Sequence, residues 1–162
     1  MGARRVVEGT HGGFIADSRQ FPVVGVRWSG RLEELALVDA FGEWLSEFIV
    51  RLEAERRVAV LVIDVREASR PTAAFRRELT RTRAGQRERL DRWIIRDIVV
   101  TENVLMRRVL RTLQWVTPWV HISPVGALEE GFELAEGLLR ERGEADLELF
   151  PSALFGEPGR GV

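Results

Sequence analysis

The sequence predicts a single α/β domain with its elements in the order β-β-α-β-α-β-α-β-α and a mixed, mainly parallel sheet flanked by helices. Three observations carry that expectation. Val58-Ala59-Val60-Leu61-Val62-Ile63 is a wholly apolar run that ends at Asp64, as a strand buried on both faces does. Ahead of it, Leu35, Val38, Gly42, Leu45, Ile49 and Leu52 recur at helical spacing and predict a long amphipathic helix over 33–55. Beyond it, strand-like and helix-like segments keep alternating to Gly143, and 162 residues suit one domain with one core.

Taken in order, residues 1–13 mix glycines and arginines without periodicity and read as a flexible N-terminal arm. Phe14–Asp17 and Phe21–Trp28 form a hairpin around the polar turn Asp17-Ser18-Arg19-Gln20, with Val24, Val26 and Trp28 alternating against Gly25 and Arg27. On the helix over 33–55, Glu47 and Arg51 stand four apart as a favourable pair, and Arg56-Arg57 suits the negative end of the helix dipole. The buried strand over 58–65 then leads through Ser69, Pro71 and Thr72 into an arginine-rich helix over 72–92. Its inner stripe of Phe75, Leu79, Gln86, Leu90 and Trp93 is thin, which predicts a peripheral position.

A strand over 94–101 follows, centred on Ile98-Val99-Val100. Asn103 introduces a helix to Val116 with Leu105, Val109, Leu113 and Val116 turned inward, and Thr117-Pro118 stops it because proline lacks the donor and disfavours the α region before it. Trp119–Ser123 is the last predicted strand. Leu128, Phe132, Ala135, Leu138 and Leu139 define a final helix with an acidic outer face, and Gly143 ends it. The domain thus spans 14–143, and residues 144–162 form a tail.

Composition narrows the chemistry. Without cysteine there are no disulfides, thiolate metal sites or cysteine nucleophiles. His11 and His121 are the two histidines, far apart and with no carboxylate three or four residues after either, so neither a metal nor another cofactor is expected. No apolar stretch approaches the roughly 18 residues of a transmembrane segment, and no secretory signal is visible, so a cytoplasmic protein is expected. All 24 basic residues are arginine, and the net charge of −1 is unevenly laid out. Residues 66–111 hold 13 Arg against 6 acids, whereas 112–162 hold 3 Arg against 9 acids.

Pro22-Val23-Val24-Gly25-Val26-Arg27-Trp28-Ser29-Gly30, then Leu61-Val62-Ile63-Asp64, then Thr72 to Arg77, and lastly Leu113-Gln114-Trp115 stand in an order that resembles the STAS-domain family. More narrowly, the chain resembles its SpoIIAA-like members, with CRAL-TRIO-like lipid-binding relatives, over residues 14–142. The resemblance implies an anti-sigma-factor-antagonist-like fold in a bacterial regulatory protein. Phosphorylatable members carry an Asp on the strand, then a second Asp and an acceptor Ser at the next helix start. With Asp64 in the strand position, Thr72 falls on the second Asp and Ala73 on the acceptor, so that motif is not preserved here.

The expectation is therefore a non-catalytic regulatory or scaffolding protein acting through protein-protein interaction. Asp64, Ser69 and Thr72 are candidate phosphate or partner contacts, because free N–H groups at a helix start favour an anion, although Ser and Thr there also serve as plain N-caps. Arg76, Arg77, Arg81, Arg83 and Arg87 form a candidate basic surface. It lacks interleaved aromatics, and the chain is slightly acidic overall, so no nucleic acid is expected. Leu149, Phe150, Leu154 and Phe155 are a candidate docking peptide, set against packing back on the domain. The acidic last helix raises a possible homo-oligomer. Alternatives are a small-molecule or lipid-binding domain, suggested by Trp115-Val116-Thr117-Pro118-Trp119, and less favourably a hydrolase using His121, Ser123 and Asp64, though no nucleophile elbow surrounds any serine.

Overall fold

The computed structural model describes residues 2–116, 121–144 and 154–155, and for residues 113–116 the backbone alone. Within them, six strands form one sheet whose order in space is their order in the chain: β1 (Arg4–Glu8), β2 (Gly12–Asp17), β3 (Val23–Gly30), β4 (Ala59–Ala68), β5 (Ile94–Val100) and β6 (Ile122–Val125). The first three pair antiparallel, and β3 to β6 pair parallel. Parallel neighbours need crossovers, and helices supply them: α1 (Leu35–Glu55), then α2 (Ala73–Ala84) with α3 (Arg87–Trp93), then α4 (Val104–Val116), with α5 (Leu128–Glu141) following β6. The expected mixed α/β architecture is present.

Both faces of the central strands are buried, which is why β4 reads as an unbroken apolar run. Ala59 and Leu61 join Val24, Val26, Trp28, Leu45, Ile49, Phe75 and Leu90 beneath α1, α2 and α3. Here Trp28 meets Phe14, Phe41 and Phe75 with ring centroids 5.0, 5.3 and 5.6 Å away. Val60 and Val62 join Val23, Ile98 and Val100 on the other face, covered by Leu128, Phe132, Ala135 and Leu139 of α5 together with Leu154 and Phe155.

Four expectations need correction. Residues 4–8 are not a loose arm but strand β1, in register with β2 from Arg4↔Asp17 to Glu8↔Gly13. Only two of its five side chains are apolar, so its strand character comes from the open edge of β2 and from Arg5, whose Nη1 lies 3.1 Å from Glu47 Oε2. Glu47, expected opposite Arg51, therefore takes its charge partner from β1.

The arginine-rich helix breaks at Gly85-Gln86 into α2 and α3. Gly85 closes α2 with its N–H on Arg81 O, and Gln86 leaves helical geometry at φ −117. The bend lets α3 bury Leu90, while α2 buries Phe75. The peripheral position follows from that thin contact.

On α4 the helical period is as expected and the facing is reversed at Leu105 and Val109, which are 69% and 48% exposed. α4 packs on β6, a four-residue edge strand, and the sides turned inward are those of Arg107 and Leu110, both half-buried. Arg107 Nη1 donates to Thr101 O at 2.8 Å. Lastly, the sixth strand, described over Ile122–Val125, runs two residues past the expected end at Ser123, its pairing with β5 extending from Asp97↔Ile122 to Val100↔Val125. Trp119 lies outside the described residues.

Candidate functional site

The turn from β4 into α2 contains the predicted contact residues, and the structure gives them structural work. Asp64 is 1% exposed on β4. Its Oδ1 accepts from Arg66 N and Nε at 3.1 and 3.0 Å, and its Oδ2 accepts from Arg66 Nη2 and Arg27 Nε, each at 3.0 Å. Burial pushes this carboxyl up, and the Arg66 bonds with the Arg66 and Arg27 charges outweigh it, so it lies below the usual 3.8. A carboxylate so surrounded has no lone pair directed at a ligand. The expected ligand contact is a buried ion-pair hub.

Ser69 is exposed, and its N–H donates to Gly30 O at 2.9 Å. Thr72 is the N-cap of α2: its Oγ1 accepts from Phe75 N at 3.2 Å. Replacing Thr72 with Ala is expected to lower unfolding free energy by about 1 kcal/mol in urea titration, with Thr72→Ser close to wild type.

The predicted basic surface divides. Arg76, Arg77, Arg81 and Arg87 are exposed, with Arg76 on Pro71 O at 3.1 Å, Arg81 on Glu78 at 2.6 Å and Arg87 3.7 Å from Asp91. Arg83 instead turns inward, where Nη2 pairs with Asp97 Oδ2. Two of the four exposed arginines, Arg81 and Arg87, thus find acids on their own helices.

The tail residues also divide. Leu149 and Phe150 lie outside the described residues. Leu154 and Phe155 do not present themselves to a partner: they are 3% and 6% exposed, seated on the domain's own sheet. Gly25 makes the seat, because a Cβ there would stand 2.6 Å from Phe155 Cζ and 2.7 Å from Leu154 Cδ2. Phe155 N donates to Asp17 Oδ2 at 3.1 Å, and the Arg27 guanidinium lies 4.3 Å from the Phe155 ring centroid. Asp17, wholly buried, also takes Arg19 through Oδ1 and Oδ2.

Between α2, α3 and the β5/β6 edge lies an open cleft of about 360 Å³. Apolar walls come from Ala84, Leu90, Ile94 and Ile122, and polar groups from Thr80, Arg83, Arg87, Asp91, Arg96, Asp97 and His121. Asp97 is 7% exposed, and while Oδ2 meets Arg83, its Oδ1 is buried with no hydrogen-bond partner. Burial pushes the Asp97 carboxyl up despite the opposing charges of Arg83 and His121. Arg96 Nη1 donates to Ser123 Oγ at 3.3 Å, while its Nε is buried without a partner.

Asp97 was absent from the sequence candidates, although a charged residue inside the strand Ile94–Val100 was a legible signal. The hydrolytic grouping is not assembled around Asp64, whose oxygens face Arg27 and Arg66, while the Ser123 hydroxyl takes Arg96. Among the described residues no cluster of three or more His, Asp or Glu could hold a metal ion, and no helix is long and apolar enough to cross a membrane.

No protein-family model and no curated protein matches this chain. Among solved structures, three chains match. One is an uncharacterized protein of the DUF3478 family with a SpoIIAA-like fold, from Shewanella loihica PV-4, with a TM-score of 0.55 at 11% identity over 82% of this chain and 92% of that one. This chain has a SpoIIAA-like fold. At such identity the likeness concerns the fold, and the SpoIIAA-like sheet here carries Ala73, not a hydroxyl, at the first position of the helix after β4.

Proposed function

We propose that this SpoIIAA-like domain is a non-catalytic regulatory or scaffolding protein of the bacterial cytoplasm that works by protein-protein interaction, with α4 as its docking face and a second copy of the chain as occupant. The observation behind the reading is the outward apolar surface of α4: Val104, Leu105 and Val109 are 53%, 69% and 48% exposed, with Met106 beside them. Contiguous apolar side chains on one helix face mark an interaction surface more than scattered ones do.

Charge favours a second copy. α4 contains Arg107, Arg108 and Arg111 and no acid, whereas α5 exposes Glu129, Glu130, Glu133 and Glu141. In a two-fold pair each basic, apolar α4 meets the acidic rim of its neighbour, and charge sets the orientation.

Sedimentation velocity tests this. A dimer is expected at low salt, weakening as ionic strength approaches about 1 M, where the screening length falls to about 3 Å. Leu105→Glu with Val109→Glu is expected to give a folded monomer. A wild type that stays monomeric at high concentration, or a dimer indifferent to both substitutions, refutes the assignment.

A further inference from the structure

Leu154 and Phe155 are held to the sheet much as a ligand is held to a site. They belong to no strand or helix, yet both are buried, and groups of β2, β3 and β4 fix them. Gly25 leaves the hollow, since a Cβ there would stand 2.6 Å from Phe155 Cζ. The wholly buried Asp17 carboxylate accepts the Phe155 N–H at 3.1 Å, and the Arg27 guanidinium lies 4.3 Å from the ring centroid. Phe155 takes φ 64, in the left-handed region that an aromatic residue enters only where its surroundings impose it. An apolar floor with a few fixed polar groups is the anatomy of a recognition pocket.

None of those contacts requires the pair and its seat to belong to one chain. Residues 145–153 lead to the pair from the end of α5, and a segment of that length extends to about 30 Å, the breadth of a small domain. The pair makes the same contacts on its own sheet or on a neighbour's, so concentration decides between them. A short tether holds its own end at an effective concentration in the roughly millimolar range, and a second copy competes as its concentration approaches that value.

We propose that the seat at Gly25 is an interaction surface between copies of this chain, filled in trans by Leu154 and Phe155 of a second copy. Each chain of the exchanged pair gives one tail contact and receives one, with Asp17 of one copy accepting from Phe155 N of the other. The seat lies on β2, β3 and β4, whereas α4 packs on β6, so the exchange does not rest on the α4 contact.

Two measurements on full-length chains test it. The chain with Leu154→Ala and Phe155→Ala has an open seat, and a synthetic peptide of residues 145–162 is offered to it at up to about 1 mM, the range of the tether itself. Urea unfolding read through Trp28 and Trp44 is expected to shift upward with peptide and regain roughly half or more of the lost midpoint, whether the variant starts folded or not. The same peptide with alanine at both positions is expected to shift nothing. In the second measurement, isotopically labelled and unlabelled wild type are refolded together at the same concentration, and isotope-filtered NOEs report contacts between copies only. NOEs from the Phe155 ring of one copy to the Val23 and Val62 methyls of another are expected, equally in chains carrying Leu105→Glu and Val109→Glu. A midpoint indifferent to the peptide, an alanine peptide that works as well, or wild-type NOEs confined to single chains overturns the proposal.

Discussion

Replacing Leu154 and Phe155 together by alanine is expected to lower unfolding free energy by about 4 kcal/mol. Each side chain is more than nine-tenths buried, and both rest on the face formed by Val23, Val60 and Val62. Single Leu→Ala and Phe→Ala changes in cores cost about 2–5 kcal/mol each, and the two residues share a seat, so their losses overlap and do not simply add. For a chain of this size the melting temperature is expected to fall by about 10 °C or more. Urea unfolding followed through Trp28 and Trp44, both in the core on the opposite face, gives the measurement. A loss below about 1 kcal/mol means that the pair does not sit on Gly25. Gly25→Val is the complementary test: it keeps the tail sequence, fills the seat, and is expected to destabilise comparably.

Asp64→Ala is the second large effect, about 3 kcal/mol of destabilisation. The substitution leaves two guanidinium groups, Arg27 and Arg66, facing a place where their carboxylate stood, with side chains only 22% and 29% exposed. Arg66→Ala is expected to cost less, since Arg27 still neutralises Asp64. Arg27→Ala removes both the ion pair and the cation lying over Phe155, and so falls between the two.

The pH response separates charge from packing. The folded-state pKa of Asp64 lies below its usual 3.8, so the folded form holds the proton less tightly than the unfolded form. Its stabilisation is complete well above pH 3.8 and is lost as pH falls through the lowered folded value. Asp17 contributes in the same direction: burial raises it, and the bonds from Arg19 and Phe155 N outweigh that. Asp97, raised by burial, contributes oppositely, favouring the fold as it takes up its proton. Stability measured against pH is expected to have a shallower acid limb in Asp64→Asn than in the wild type. An unchanged limb would show that Asp64 is not the group that titrates there.

Patterns that depend on local periodicity were legible in the residues. The run to Asp64 announced a strand buried on both faces, and the recurrence from Leu35 to Leu52 announced α1, because each pattern repeats within one element. Features that depend on a distant partner were not legible. The strand at Arg4–Glu8 has a mixed composition and becomes a strand by pairing with β2. The period of α4 shows which residues share a face but not whether that face meets the sheet, and a short edge strand reversed the answer. The two roles weighed for Leu154 and Phe155 differ only in where the residues land, and Gly25, far off in sequence, decides it. Asp97 showed a charge within an apolar strand, yet its unmatched oxygen follows from Arg83 arriving on one side only.

The hydrogen bond from Phe155 to Asp17 joins residues 138 positions apart. A ribosome adding about 5–20 residues per second makes Asp17 on the order of ten seconds before it makes Phe155. Once Ala68 has been made, β3 and β4 can pair and accept α1, but until Leu154 and Phe155 arrive their seat at Gly25 remains open to other molecules in the cell. The nascent chain thus has one finished side and one unfinished side. Chaperone engagement, if the chain needs it during synthesis, belongs to the unfinished side and ends when the last contact forms.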